Sequence, residues 1–294
     1  MRDDFCAFIL THGRPDSVVT YKQLRDSGYT GKIYVVIDDE DKTADQYFER
    51  YGSAVLQFSK AEVAKTFDEA DNFNDRRAIV YARNVCFRLA REVGCRYFIQ
   101  LDDDYSSFFY RFNSRQVYGA WRIRTTMDAL FEAMLEFYLQ TPITTIAMSQ
   151  GGDHIGGDPG RIALKRKAMN SFICSTDRPF TFHGRVNEDV NTYTTESRRG
   201  NLFFTTTSAQ LNQLMTQSNA GGMTDLYLDS GTYVKSFYSV MFCPSPVKIG
   251  ELADNRSPHR RIHHAIDWTK TAPKILREEH RRIGDGVASE ALED

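Results

Sequence analysis

Three consecutive carboxylates, Asp102-Asp103-Asp104, directly follow the apolar run Tyr97-Phe98-Ile99-Gln100-Leu101. The run reads as a buried strand, so the acidic residues fall at its C-terminal end. In an open α/β sheet that is the edge where ligands bind. Neighbouring carboxylates repel one another, and a bound divalent cation relieves the repulsion. Oxygen ligands suit Mg²⁺ or Mn²⁺, and such an ion can in turn hold a diphosphate. A solvated acidic turn is the competing explanation, so the assignment depends on what else the chain brings to the same edge.

Five further clusters bear on it. Thr11-His12-Gly13-Arg14-Pro15 follows a first apolar run, Cys6 to Leu10. There Gly13 permits close backbone approach to a ligand, and Arg14 can pair with a phosphate through two parallel hydrogen bonds; the alternative is an ordinary turn with a solvated arginine. Asp38-Asp39-Glu40-Asp41 closes a second run, Lys32 to Ile37. A carboxylate at that place can accept from ribose hydroxyls or a base N–H, which makes Asp38 or Asp39 the candidate nucleoside contact, or it can cap a helix. Arg83-Asn84, with Asp71-Asn72 and Arg76-Arg77 upstream and Lys65 as a weaker phosphate candidate, lies just before the acidic triplet. One of Arg83 and Asn84 could face a donor sugar or diphosphate, or both could belong to a solvated helix face. Asn187-Glu188-Asp189 reads as a helix start that can place a carboxylate beside an acceptor hydroxyl as general base, Asp189 rather than Glu188, or simply offset the helix dipole. His183, just upstream, fits either an acceptor site or the packed interior.

The last cluster, Pro258-His259-Arg260-Arg261-Ile262-His263-His264, carries imidazoles that can complete a metal shell begun by carboxylates. His263 or His264 is the expected ligand beside Asp102 and Asp104, with His259 a third possibility. Together with Lys165-Arg166-Lys167 and the basic residues from Arg277 to Arg282, the cluster could instead meet nucleic-acid phosphates.

The elements that must position these groups follow from periodicity. Strand-like runs at 6–10, 32–37, 55–58 and 97–101 alternate with helical patterns. Val18, Tyr21 and Leu24 mark the first helix; Tyr47, Phe48 and Tyr51 a short second one; Ile79, Ala82, Cys86, Leu89 and Val93 the third. The polar stretch 60–76 reads as a loop. This alternation predicts an α/β fold with a parallel, doubly wound sheet whose C-terminal edge forms the site. Beyond it, the pattern predicts a helix from Met127 to Tyr138, a strand from Thr144 to Ser149, a flexible glycine-punctuated loop at 151–160 and strands near 172–174 and 202–207. A helical, frayed tail is expected from about Glu278. With no linker or repeat, one domain is expected over 1–275, its nucleotide-binding half at 1–120 and its acceptor half at 121–275, followed by the tail at 276–294.

Composition narrows the classes. The chain has 294 residues, 41% hydrophobic and 13% aromatic, which is enough for a sizeable core. Its 37 Lys+Arg against 39 Asp+Glu argue against a globally basic nucleic-acid binder, though not against a local basic face. No signal-peptide pattern is read at the N-terminus, and no run approaches the ~18 apolar residues of a membrane span, so a cytoplasmic protein is expected. The five cysteines are scattered without a CxxC pair and read as reduced thiols. The absence of GxxxxGK[ST] disfavours a P-loop ATPase, and the absence of GxGxxG after the first strand disfavours a dehydrogenase.

The order of clusters resembles that of metal-dependent glycosyltransferases of the GT-A fold, with their Asp-x-Asp motif. More narrowly it resembles the TET-associated glycosyltransferases of bacteriophages. Three blocks carry that resemblance: Ile9-Leu-Thr-His-Gly-Arg-Pro15, Tyr34-Val-Val-Ile-Asp-Asp-Glu-Asp41 and Gln100-Leu-Asp-Asp-Asp-Tyr105, with Ala82-Arg83-Asn84 between them. The resemblance implies a GT-A type mixed sheet flanked by helices. It implies Mn²⁺ or Mg²⁺ and a nucleotide-sugar donor, UDP-glucose or another UDP-sugar, bound through Thr11, His12, Gly13, Arg14, Asp38, Asp39, Arg83, Asn84, Asp102 and Asp103. The implied acceptor is 5-hydroxymethylcytosine in double-stranded phage DNA, in the host-cell cytoplasm. Inverting or retaining stereochemistry stays open, and so does the choice among His263, His264 and His259 as metal ligand; Asp189 is the expected base if the reaction inverts. The rivals are a nucleotidyltransferase of similar fold, a glycosyltransferase acting on protein or polysaccharide, and a catalytically inactive DNA-binding module.

Overall fold

The computed structural model describes residues 1–71, 76–159, 162–163, 168, 171–214, 234–253 and 260–271. Asn72, His259, the Lys165-Arg166-Lys167 run and the expected tail helix lie outside the described residues.

At the centre is β1 (Phe5–Leu10), whose six residues are all buried. Successive side chains of a strand point to opposite faces. Phe5, Ala7 and Ile9 accordingly enter one apolar core, and Cys6, Phe8 and Leu10 enter a second on the other side of the sheet. Burial on both faces suits a strand with parallel neighbours, whose connecting helices cover the sheet. β1 has them: β2 (Lys32–Asp38) on one side and β4 (Tyr97–Asp102) on the other, both parallel to it, with β3 (Val55–Phe58) parallel beyond β2. The doubly wound expectation thus holds for this part of the chain.

Past β4 the sheet becomes mixed. β9 (Ser171–Ser175) runs antiparallel to both β4 and β7 (Thr145–Gln150). β7 is parallel to the long β10 (Phe203–Gln213), and β10 is antiparallel to β5 (Tyr105–Phe112) and the short β8 (Ile162–Ala163). A hairpin partner, β6 (Tyr118–Arg122), ends the order β3-β2-β1-β4-β9-β7-β10-β5-β6. One sheet therefore spans both halves of the sequence. A separate antiparallel pair is formed by β11 (Val247–Ala253) and β12 (Arg260–Ile266).

Helices cover both faces. On the first core lie α1 (Val19–Asp26), α2 (Ala44–Tyr51) and α5 (Met127–Gln140), through Leu24, Tyr47 and Phe131. On the second lie α3 (Lys60–Ala64), α4 (Val80–Glu92) and α6 (Glu188–Arg198), through Val63, Phe87 and Val190. A further helix, α7, spans 234–242, and a short α8 (Trp268–Thr271) follows β12. Trp268 stacks on Tyr193 of α6, with ring centroids 5.4 Å apart.

Two local expectations are corrected. The stretch read as a loop from residue 60 starts with α3, because Asp39 Oδ1 accepts the Lys60 N–H at 2.9 Å and caps the helix from a distant part of the chain. The glycine-rich loop opens with a 3₁₀ turn, Gly151–His154, closed by reciprocal bonds between Gln150 and Asp153. The basic Arg260-to-His264 stretch, for which no element is read from the sequence, lies in β12. All five cysteines are buried and unpaired. Among the described residues no helix is long and apolar enough to cross a membrane.

One glycine controls how α1 meets α5. Gly28 has φ +86°, and a Cβ there would lie 2.5 Å from the backbone of Thr125, just where the Met127 N–H donates to the Ser27 carbonyl at 3.0 Å. We expect Gly28→Ala to cost about 1–3 kcal/mol from the left-handed backbone alone, plus the clash. Urea denaturation at 25 °C measures this, and an unchanged midpoint would contradict the assigned close approach.

Candidate active site

The acidic triplet forms the tight turn from β4 into β5, and α1 holds that turn. Thr20 Oγ1 donates to the Asp102 carbonyl at 2.6 Å and accepts the Tyr105 N–H at 2.9 Å, while the Thr20 N–H donates to the Asp103 carbonyl at 3.0 Å. With the backbone so fixed, the three carboxylates are sent to three different places.

Asp102 Oδ1 accepts from Arg83 Nη2 at 2.8 Å. Asp103, buried, turns back under the first loop. Its Oδ2 accepts from Thr11 Oγ1 at 2.6 Å and pairs with Arg14 Nε at 3.0 Å. Asp104 Oδ2 accepts from Gln213 Nε2 at 3.0 Å, and its buried Oδ1 has no hydrogen-bond partner among the described residues. Burial pushes the Asp102 and Asp103 carboxyls up to about 6 and raises Asp104 as well, against the opposing pull of Arg83 and Arg14. A turn that strains its own carboxylates in this way is short of positive charge.

Arg83 is the hub. It is 1% exposed, on α4, with its guanidinium 5.2 Å from the Phe172 ring centre and 5.8 Å from that of Phe182. It joins Asp102 to Glu188, donating from Nε to Glu188 Oε1 at 3.0 Å. Burial raises the Glu188 carboxyl, as does the neighbouring Asp189. Asp189 itself is buried, and its Oδ1 accepts the Val190 N–H at 2.8 Å. The start of α6 is set by Asn187, which adopts the left-handed region at φ 64°. Its side-chain amide donates to Ser239 Oγ at 2.6 Å and lies 3.2 Å from His264 Nδ1.

The first loop is fastened around Asp38 and Asp41. His12 Nδ1 lies 2.8 Å from Asp38 Oδ2, and Lys60 Nζ lies 3.1 Å from Asp38 Oδ1. The Gly13 N–H donates to Asp41 Oδ2 at 2.7 Å, with Gly13 at φ +71°. Tyr47 OH accepts the Arg14 N–H at 3.0 Å and lies 2.9 Å from Thr11 Oγ1. The hydrogen bond to Asp38 raises the His12 imidazole above its ordinary value. Burial works against the Asp38 carboxylate, but His12 and Lys60 outweigh it and hold it low.

The structure thus brings Thr11, His12, Gly13, Arg14, Asp38, Arg83, Asp102, Asp103, Asp104 and Glu188 into one hydrogen-bonded system at the C-terminal edge of the parallel strands, with Asp189 next to Glu188. Asn84 is directed elsewhere: its amide both donates to and accepts from the Phe182 backbone, at 3.0 and 2.8 Å, and braces the chain before α6. Asp39 caps α3. His183 is packed beside α6, 3.2 Å from Glu196 Oε1. Among the described residues no three His, Cys, Asp or Glu side chains converge as a ready metal cage, so neither His263 nor His264 joins Asp102 and Asp104 in one. The donor set present still fits a hard cation. Mg²⁺ and Mn²⁺ sites of this kind use one or two carboxylates and take the remaining oxygens from water and substrate phosphates. The unpartnered Asp104 Oδ1 is an oxygen of that type.

Thr20, Tyr47, Lys60 and Gln213 contribute to the system without a recognisable sequence signal. Tyr47 reads only as part of an apolar stripe. Lys60 and Gln213 lie 22 and more than 100 residues in sequence from the carboxylates they meet.

Two outcomes follow from this geometry. Arg83→Leu leaves two buried carboxylates unpaired and is expected to cost about 3–5 kcal/mol in chemical denaturation; a loss under 1 kcal/mol would show that the tie is not formed. The His12–Asp38 pair contributes stability that is complete below the ordinary imidazole value of about 6.5 and is lost as pH rises through the higher folded value. The stability difference between wild type and His12→Asn should therefore be largest in acid and fade above neutrality, and NMR titration of His12 should give a midpoint above 6.5.

Comparison with known proteins adds the family. No curated protein matches the sequence. Among solved structures, glucosyl-3-phosphoglycerate synthase from Mycobacterium tuberculosis, crystallised with Mg²⁺ and UDP, aligns over 89% of this chain and 87% of its own at 10% identity, with TM-score 0.44. S. aureus TarS 1–349 aligns over 81% of this chain and 64% of its own, at 11% identity and TM-score 0.44. A further mycobacterial protein aligns over 89% and 83%, at 8% identity and TM-score 0.46. The sequence profile of the TET-associated glycosyltransferases matches residues 5–222, which include every member of the hydrogen-bonded system from Thr11 to Asp189. By that match over most of its length, the chain belongs to the TET-associated glycosyltransferase family and is a glycosyltransferase.

Proposed function

We propose that the protein moves a sugar from a UDP-sugar, such as UDP-glucose, to the hydroxymethyl group of 5-hydroxymethylcytosine in double-stranded phage DNA, in the cytoplasm of the host and with Mn²⁺ or Mg²⁺ as cofactor. The observation that carries the donor half is the β4–β5 turn: strained carboxylates at a sheet edge, one with an unpartnered buried oxygen, joined through Arg83 to a second carboxylate pair on α6. The family supports the acceptor half, since the oxygenase in its name is the enzyme class that produces hydroxymethylated pyrimidines. UDP and Mn²⁺ accompany a structurally similar synthase in its crystals.

In this reading residues 1–120 bind the donor and residues 121–275 receive the acceptor. Asp104 and Asp102 would hold the cation, with water and substrate phosphates completing its shell. When bound, the ion supplies Lewis acidity to the departing diphosphate. Arg14 and the Gly13 loop orient the phosphates, and Asp38 with its His12 and Lys60 partners addresses the nucleoside. Reaction joins the acceptor oxygen to the anomeric carbon and breaks the bond from that carbon to the diphosphate oxygen. In an inverting reaction the hydroxyl proton passes to a carboxylate. Asp189 is assigned that role because Glu188 is held in the ion pair with Arg83, whereas the hydrogen bond that Asp189 accepts comes from the neighbouring Val190 N–H. If configuration is retained, the proton leaves with the diphosphate and Asp189 positions the acceptor.

Incubation with UDP-glucose, Mn²⁺ and hydroxymethylated duplex is expected to release UDP and add one hexose to the modified nucleoside, with unmodified duplex inert. Asp104→Asn should lower kcat by about 10²-fold or more, and Asp189→Asn by about 10²–10⁴-fold if the reaction inverts. Pyrophosphate release from a nucleoside triphosphate would favour nucleotidyl transfer instead. Sugar incorporated only into protein or polysaccharide would refute the DNA acceptor.

A further inference from the structure

The β5–β6 hairpin has a composition unlike that of the rest of the chain. Between Tyr105 and Met127 there are four arginines, Arg111, Arg115, Arg122 and Arg124, and no Asp or Glu. Elsewhere arginines commonly meet carboxylates, as Arg2 does Asp4 and Arg96 does Asp177. In the hairpin, among the described residues, none does. Arg111 donates to neutral oxygens only, Gln210 Oε1 at 3.1 Å and Tyr118 OH at 2.6 Å, and its guanidinium lies 4.6 Å from the Tyr118 ring centre. Arg122 donates to Gln23 Oε1 at 3.0 Å. Arg115 and Arg124 are exposed, at the turn and just after β6.

An edge strand invites pairing with another chain, and positive side chains are one way of blocking it. That purpose alone does not explain aromatic groups laid among the charges. Trp121 folds over Gly119, where an added Cβ would meet its ring at 2.4 Å, and remains 37% exposed. Tyr118 backs Arg111 on the same ribbon. Uncompensated arginines alternating with exposed rings suit an anionic polymer that also carries flat bases. A two-stranded ribbon is, besides, of a width that the DNA major groove admits.

The ribbon is also continuous with the candidate active site. β5 begins at the residue after Asp104. On its other side is β10, whose Gln213 bonds Asp104 and whose Gln210 bonds Arg111. From Tyr105 to Arg111 the strand covers about 20 Å, so a duplex lying along the ribbon would present its bases to the rim that Asp104 occupies.

We propose that the β5–β6 hairpin is the grip on duplex DNA, its arginines meeting phosphates while the adjacent rim receives the modified base. The proposal rests on the DNA-acceptor reading for its partner. Its test measures binding to unmodified duplex and so does not require sugar transfer. Affinity of the full chain for a 20-base-pair duplex, about two helical turns, is measured across a salt series for wild type, Arg115→Ala/Arg122→Ala/Arg124→Ala, the corresponding triple lysine variant and Lys165→Ala/Arg166→Ala/Lys167→Ala. Expected is a loss of about tenfold or more for the hairpin alanine variant, with the log–log salt slope falling by about 0.9 for each phosphate contact removed. Partial rescue by the lysine variant, and UDP-glucose binding and melting temperature as in wild type, would confirm that the fold is intact. If wild type and the alanine variant bind equally, or if only the 165–167 variant loses affinity, the hairpin is not the grip while the DNA reading stands. If wild type binds no duplex, both fall. If wild type prefers anionic phosphatidylserine vesicles to duplex, the ribbon meets a membrane surface and the proposal is overturned. Duplex binding through the hairpin without sugar transfer would uphold the grip and count against the catalytic reading alone.

Discussion

A single buried guanidinium organises this protein. Arg83, placed by α4 under the end of the sheet, bonds Asp102 on one side and Glu188 on the other. These residues are distant in sequence and belong to different elements: the strand end that enters the acidic turn, and the first turn of α6. Without the cation between them, two buried carboxylates would face each other at a large desolvation cost. With it, their separation and orientation are fixed by one rigid fork whose geometry a lysine ammonium does not reproduce. Phe172 and Phe182 close around the guanidinium and keep its ionic contacts out of water. The relative placement of the acidic turn and the α6 carboxylates therefore rests on this tie.

The three aspartates illustrate how neighbours in sequence acquire different duties. A tight turn clamped by Thr20 sends Asp102 to Arg83, Asp103 to Thr11 and Arg14, and Asp104 toward Gln213. Asp103 thus locks the first loop to the turn, and the loop in turn reaches Asp38 and Asp41 through His12 and Gly13. The three carboxylates meet donors on three different parts of the chain: the helix α4, the loop after β1 and the end of β10. Burial raises the acidic groups collectively, and additional positive charge at the rim would lower the energy of all three. That is the electrostatic condition under which a hard divalent ion and a diphosphate bind together.

The parallel core and its loops are legible before any coordinates because their signals are local. Cys6 to Leu10 and Tyr97 to Leu101 are long enough apolar runs to be two-face-buried strands, and each ends in polar residues that the sheet direction gathers on one edge. The later strands are harder to read. β5 and its hairpin partner β6 are not marked by a local signal, since the pairing of β5 with β10 depends on residues about 100 positions away. The short α3 is hidden because its cap, Asp39, comes from the end of another strand. Asn84 resembles a ligand contact in sequence but is drawn to the Phe182 backbone, a partner 98 positions distant.

The amino-acid sequence alone determined the alternating α/β order, the acidic edge, the polar clusters at the ends of the first strands and the family resemblance, all of which reside in contiguous segments whose periodicity and side-chain chemistry act locally. Only the tertiary structure decided which carboxylate meets which cation, that Arg83 is an interior tie rather than a surface phosphate contact, that Lys60 and Gln213 belong to the site, and that an acid-free hairpin extends from the same turn. The physical reason is that burial and charge pairing are properties of neighbourhoods assembled from remote residues, and a side chain's role is set by the neighbourhood that folding places around it.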